Sequence, residues 1–157
     1  MVAMDIRLAE IEAADRTEEL VGALMDVWRS SVEATHDFLT PPEIDAIAGY
    51  VPGALREIPR LVVARVDDAG APVAFAGVAE DSLEMLFVAP EMRGRGIGGH
   101  LLRHAVENLG VRRLDVNEQN PQARGFYEHE GFCVVGRSET DAQGGPYPIL
   151  HMGLVRV

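Results

Sequence analysis

The chain predicts an α/β fold: a single domain with one mixed sheet, mostly antiparallel with one parallel crossover, flanked by helices. Three observations predict it. Residues 61–88 carry three short apolar runs separated by turn signals, the pattern of an antiparallel meander. Residues 83–116 then read strand, glycine loop, amphipathic helix, strand, and two strands joined through a helix run parallel. Finally, 157 residues at 47% hydrophobic, with no repeat, linker or low-complexity segment, make one ample core. All of residues 1–157 are therefore expected in one domain.

The elements follow in order. Asp5–Leu8 alternates like a short strand. Asp15-Arg-Thr-Glu18 reads as a capping box opening a long helix, whose stripe of Leu20, Leu24, Val27, Trp28 and Val32 is buried. That helix ends near Thr35. Thr40, Pro41 and Glu43 mark a second helix start, carrying Ile44, Ile47, Ala48 and Val51 and breaking at Pro52-Gly53, with a short helical turn before Pro59. The strand Leu61–Val66, a turn over Asp67–Gly70 and the strand Val73–Glu80 form a hairpin. Leu83–Val88 is a buried strand. Leu101, Leu102, Ala105, Val106 and Leu109 recur at spacings of three and four and give the crossover helix one apolar face. Arg113–Val116 is the parallel strand. Asn120-Pro121 opens a helix over Gln122–Glu130 that Gly131 closes. Cys133–Arg137 and Ile149–Val155 finish the chain as a hairpin around Asp141–Pro146.

Composition excludes several classes of function. A formal charge of −11 argues against nucleic acid and anionic membranes as partners. No run reaches the ~18 apolar residues of a membrane span, and the start, MVAMDIR, lacks the apolar region of a secretory signal. The single cysteine, Cys133, excludes an internal disulfide and a cysteine-built zinc site, so a cytoplasmic location is expected. In its apolar strand Cys133 reads as core. All fourteen basic residues are arginine, so the protein cannot acetylate a lysine of its own. Five of them, Arg93, Arg95, Arg103, Arg112 and Arg113, lie between Glu91 and Arg113 against two acids, a basic island suited to a polyanionic small ligand.

That island surrounds the most informative stretch, where Gly94, Gly96, Gly98 and Gly99 precede the crossover helix. The first N–H groups of a helix lack intrahelical partners, its dipole adds positive charge there, and glycine lets a phosphate approach the backbone. Gly94-Arg-Gly96-Ile-Gly-Gly99 also satisfies the dinucleotide spacing G-x-G-x-x-G, with Asp115 on a following strand. A nucleotide-dependent oxidoreductase is thus an alternative. In a dinucleotide fold, however, the first glycine leaves the strand directly, whereas Ala89–Arg93 intervene here, and too little chain follows for a second half.

The same residues fit Arg93-x-x-Gly96-x-Gly98 after a strand ending Phe-Val-x-Pro, which resembles the acyl-CoA loop of the Gcn5-related N-acetyltransferases (GNAT). Asn120-x-x-Ala123-x-x-Phe126-Tyr127-x-x-x-Gly131-Phe132 is similar to a second signature of that family. Two motifs in the right order are far more specific than either alone. With SVEATHDFL early and PYPILHM late, the resemblance extends over the chain and narrows to the YjaB-type bacterial branch.

The resemblance implies a single-domain acyl-CoA N-acyltransferase fold and direct transfer from acetyl-CoA to a primary amine of a small molecule or peptide. No metal is implied, and a homodimer is possible. It further implies that Leu86, Phe87 and Val88 meet the pantetheine arm through their backbone, with the Leu86 N–H as oxyanion donor. Arg93, Gly94, Arg95, Gly96, Ile97, Gly98 and Gly99 would cradle the pyrophosphate. The Asn120 side chain would hold the arm from the other side, beside the space Ala123 leaves. Tyr127 would be the general acid for the departing thiolate. A CoA-binding regulator without turnover is the other alternative.

A base is harder to name. Glu84 shares a face with Leu86 if the strand keeps its period of two, and apolar neighbours there would raise its pKa. Glu80 is second choice. His36 and Asp37, with Phe38 as a wall, are expected at the acceptor pocket, which the family places under the connection between the first two helices. Asn117 is expected to face the cleft. His100 and His104, four apart, share a polar helix face with Arg103 and Glu107 and read as solvated rather than as metal ligands.

Overall fold

A computed structural model describes residues 5–67 and 70–155. Seven strands form one sheet: β1 (Ile6–Glu10), β2 (Arg60–Val66), β3 (Pro72–Ala79), β4 (Ser82–Val88), β5 (Arg113–Asn117), β6 (Phe132–Ser138) and β7 (Ile149–Leu154). Their spatial order is β1-β2-β3-β4-β5-β7-β6, and every neighbouring pair is antiparallel except β4–β5. The expected mixed sheet and its single crossover are therefore present. Residues 68 and 69 of the expected β2–β3 turn lie outside the described residues.

The helices are α1 (Glu18–Thr35), α2 (Pro41–Ala48), α3 (Val51–Glu57), α4 (Ile97–Leu109) and α5 (Pro121–His129). Two apolar clusters sandwich the first half of the sheet. Val21, Leu24, Val27 and Trp28 of α1, with Ile44 of α2 and Leu55 of α3, pack on Leu61, Val63 and Phe75 on one face. Ile97, Leu101, Leu102 and Ala105 of α4 pack on the other face against Val62, Ala76 and Leu83, and this cluster continues across to Leu114, Phe132, Leu150 and Met152. On the face opposite α4, the second half of the sheet is uncovered among the described residues: Arg113, Asp115 and Cys133 are exposed there.

Several expectations are corrected. The cap of α1 is Thr17, whose Oγ1 accepts from the Leu20 N–H at 3.1 Å, because Asp15 is consumed by a 3-10 turn over Ala13–Asp15. The second helix ends at Gly49 rather than at Pro52, and Pro52 instead stands in the first turn of α3. A missing N–H is no loss there, since first-turn donors have no intrahelical partner. Ile47 is consequently exposed. Arg16 closes the far end of α3: its guanidinium donates to the carbonyls of Leu55, Arg56 and Ile58, supplying both hydrogen bonds and positive charge where the helix dipole is negative. Cys133 is exposed, not core. Strand alternation sends Phe132 to the α4 face and its neighbour to the uncovered one.

Candidate active site

The site begins where the sheet parts. β4 and β5 pair only at Ser82–Arg113 and Leu83–Leu114. The β3–β4 ladder then skips one residue: Val78 opposes Leu83 and Gly77 opposes Met85, which leaves Glu84 as a bulge. A bulge bends its strand, and beyond this one β4 no longer pairs with β5. The bulge also breaks the period of two, so Leu83 and Leu86 both pack on the α4 side. Counting by twos from Leu86 to Glu84 therefore fails, and Glu84 is exposed rather than set among apolar neighbours. Glu80 lies in the exposed β3–β4 turn and lines neither cavity described below.

The edge left by the split carries usable backbone. The Ala89 N–H donates to the Val73 carbonyl at 2.8 Å, which sets the phase of the ladder. Val88, opposite Ala74, and Leu86, opposite Ala76, then stand in the non-hydrogen-bonded pairs, with their N–H and C=O turned away from β3 into the gap. These are the two residues whose backbone the acyl-CoA resemblance singles out.

Beyond the gap lies the start of α4. Gly94 and Gly96 have φ of 75° and 81°, left-handed values that side chains disfavour, and Gly96 is the N-cap. The first intrahelical bond runs from the His100 N–H to the Gly96 carbonyl, so the N–H groups of Ile97, Gly98 and Gly99 have no partner within the helix. Gly99 bears instead on a side-chain pair. A Cβ there would lie 2.8 Å from Glu130 Oε1, which with Arg103 ties α5 to α4 across the helix start. The basic island is thus partly spent on structure: Arg103 pairs with Glu130 and Arg113 with Asp81, while Arg93 lines the cavity.

Two lobes meet at this place. The larger, about 400 Å³, is lined by Leu86, Phe87, Val88, Arg93, Gly94 and Gly96–Gly99, with Asn120, Ala123 and Tyr127 opposite. The smaller, about 230 Å³, lies between the parted strands and is lined by Glu84, Met85, Asp115, Asn117 and Ile149. His36, Leu86, Phe87, Asn120, Ala123 and Tyr127 line both. Arg95, Asp37 and Phe38 line neither. Phe38 instead packs at a tilt between His36, 5.3 Å away, and Tyr147, 6.1 Å away, and the Tyr147 hydroxyl donates to Glu43. Ser31 and Thr35, polar residues on the otherwise apolar stripe of α1, also line the larger lobe; that interruption was their signal in the sequence.

The polar groups at the junction have distinct states. Tyr127 rests edge-on to Phe126 and Phe132 and makes no hydrogen bond among the described residues. Burial pushes its phenol well above the ordinary range and keeps it protonated. His36 is held below the usual imidazole range, first by burial, then by the charge of Arg93, with Asp37 opposing. Asn120 Oδ1 accepts from the Ala123 N–H at 3.2 Å and so caps α5. Asn117 Oδ1 is buried with no partner among the described residues. On the uncovered face, Ser138 Oγ, His151 and Asp115 form a row, with both hydrogen bonds at 2.7 Å, that braces the Asp115 carboxylate at the smaller lobe. His100 is exposed, His104 meets Asn108, and no cluster of three metal-ligating side chains exists among the described residues.

An anion-binding helix start, an amide edge and a second pocket at its end suit a carrier with a diphosphate at one end and an acyl group at the other, which defines an acyltransferase of the coenzyme A type. The Acetyltransferase (GNAT) domain profile matches residues 57–134. The chain is 43% identical to the peptidyl-lysine N-acetyltransferase YjaB of Salmonella typhimurium over 129 residues, 82% of this chain and 88% of that one. The solution structure of apo-form YjaB from Escherichia coli superposes with a TM-score of 0.84 at 36% identity, covering 98% of this chain and all of that one. PaiA N-acetyltransferase of Thermoplasma acidophilum, solved with coenzyme A, shares the fold at a TM-score of 0.70 and 20% identity, covering 94% and 98%. The chain belongs to the Gcn5-related N-acetyltransferase family and is an acetyl-CoA-dependent N-acetyltransferase.

Proposed function

We propose that the chain, acting as one domain, acetylates the primary amine of a lysine side chain in a peptide or protein, by direct attack while both substrates are bound. The observation that carries this reading is the junction of the two lobes at Leu86 and Tyr127. An acyl carrier in the larger lobe ends where an amine in the smaller lobe begins, with no cysteine lining either and no serine lining the smaller. The name of the Salmonella relative supports a lysine acceptor. So does the chemistry of the smaller lobe, where Glu84 and Asp115 attract an ammonium and Asn117 Oδ1 offers it an acceptor.

In this reading the N–H groups of Ile97, Gly98 and Gly99, with Arg93, hold the diphosphate. Val88 pairs with the pantetheine arm as an added strand would, and the Leu86 N–H stabilises negative charge on the thioester oxygen. Tyr127 donates its proton to the leaving sulfur. Its phenol is a weak acid here, but a thiolate formed in the same desolvated lobe is made more basic by the same burial. The net charge of −11 supports a protein acceptor over nucleic acid. The test is thiol release from acetyl-CoA with lysine peptides, with mass spectrometry to locate the added acetyl group. Release that does not depend on the peptide, or modification only of α-amines, overturns the lysine assignment.

A further inference from the structure

A lysine ammonium has no lone pair, so a proton must leave before attack, and neither carboxylate considered from the sequence sits where burial would fit it for that task. The hydrogen bonds around His36 supply another candidate. The single hydroxyl hydrogen of Thr35 is used on the Ser31 carbonyl, at 2.8 Å. With the hydroxyl hydrogen so placed, the 2.8 Å contact between Thr35 Oγ1 and His36 Nδ1 runs from Nδ1–H to oxygen. The neutral ring carries one proton, so Nε2 holds a free lone pair. No other hydrogen bond engages the ring among the described residues, and the residue lines both lobes at their junction. A tilted ring contact with Phe38, which in turn meets Tyr147, bonded to Glu43, packs against the imidazole.

We propose that His36 Nε2 is the general base that takes the proton from the acceptor ammonium, with Thr35 as the residue that sets its tautomer. The proposal rests on the amine-acceptor reading above. The proton balance closes: one ammonium proton passes to Nε2, and the nitrogen lone pair so freed forms the C–N bond as the C–S bond breaks. The sulfur takes the Tyr127 proton, and the second proton lost by nitrogen restores the phenol. The histidinium returns its proton to solvent, so one proton is released per turnover. The charged and titratable groups facing His36 are Arg93 from the loop before α4, Asp37 on its own segment, Tyr127 on α5, and Glu84 and Asp115 across the smaller lobe. Burial and Arg93 together keep the ring neutral at pH 7, as a base must be.

The first test needs no turnover. Long-range ¹H–¹⁵N correlation on protein labelled at histidine, assigned with His36→Gln, is expected to show His36 at pH 7 as the neutral Nδ1–H tautomer, and Thr35→Val is expected to lose that preference. A ring that is charged at pH 7, or protonated on Nε2, overturns the proposal. The second test compares a lysine peptide with the same peptide bearing an aminooxy group in place of the ε-amine, which is already neutral. His36→Gln is expected to lower kcat/KM for lysine by about 10²- to 10⁴-fold, to lower it far less for the aminooxy peptide, and to leave coenzyme A affinity intact. Equal losses on both peptides, or none on lysine, overturn the base assignment alone. Wild-type protein that shows no amine-dependent thiol release overturns the acceptor reading, and the role of His36 with it.

Discussion

The two halves of the sheet are built differently. Strands β2–β4 are sandwiched, with α1–α3 on one face and α4 on the other, so β2 and β3 each carry an unbroken buried stretch. Strands β5–β7 are covered by α4 and α5 alone, and their residues alternate in and out. The halves meet through two residue pairs and then diverge. A doubly covered sheet gives rigidity and a singly covered one gives access, and the two lobes meet on the seam. Stability and chemistry should therefore respond to mutation in different places.

The largest effect should come at the seam: Tyr127→Phe is expected to lower kcat by about 10²- to 10⁴-fold while leaving acetyl-CoA affinity, measured by calorimetry, nearly unchanged. An unaltered kcat would remove Tyr127 from the mechanism. Within the sandwiched half, Phe75→Ala should cost about 3–5 kcal/mol in urea unfolding, since Phe75 is fully buried between the helices and the sheet. At the glycine loop, Gly96→Ala should cost about 1–2 kcal/mol from its left-handed φ. The same change should weaken acetyl-CoA binding by about tenfold.

A smaller effect should appear in the pH dependence of stability. The pKa of His36 is depressed on folding, so the unfolded chain binds the extra proton and wild-type stability falls as pH drops below the unfolded value of about 6.5. His36→Gln should flatten that slope below about pH 6.5, as read from denaturation midpoints. The smallest effect belongs to the uncovered face, where Cys133→Ser should change stability by no more than about 0.5 kcal/mol. A loss of several kcal/mol there would show that this face is covered in solution and would undo the contrast between the halves.

What was legible in the sequence follows the same division. The meander, the crossover and the glycine loop are written in local patterns, with apolar runs, helical spacing and turn residues each dictating their own segment. The residues expected to bind the cofactor line the larger lobe, apart from Arg95, because they lie in three local stretches: the end of β4, the glycine loop into α4 and the start of α5. The failures needed information from far along the chain. Cys133 could be placed only by knowing that no helix covers its face, and Glu84 only by knowing the register of β3 against β4. Pro52 begins a helix rather than ending one, and Arg16, some forty residues earlier, gathers that helix's last carbonyls. The bond between Tyr147 and Glu43 likewise joins distant segments. No spacing rule reaches that far.

Glu84 has a consequence for how this enzyme tolerates change in length. Extra residues in surface loops usually cost little, because the ends of the loop can stay where they are. An extra or missing residue at this point instead acts as a wedge added or withdrawn. Deleting Glu84 would let β4 run straight alongside β5 and let the two strands zip together, giving up a crevice in exchange for a tidier sheet. Here the crevice depends on one place where the chain declines to make a backbone partnership that was within its reach.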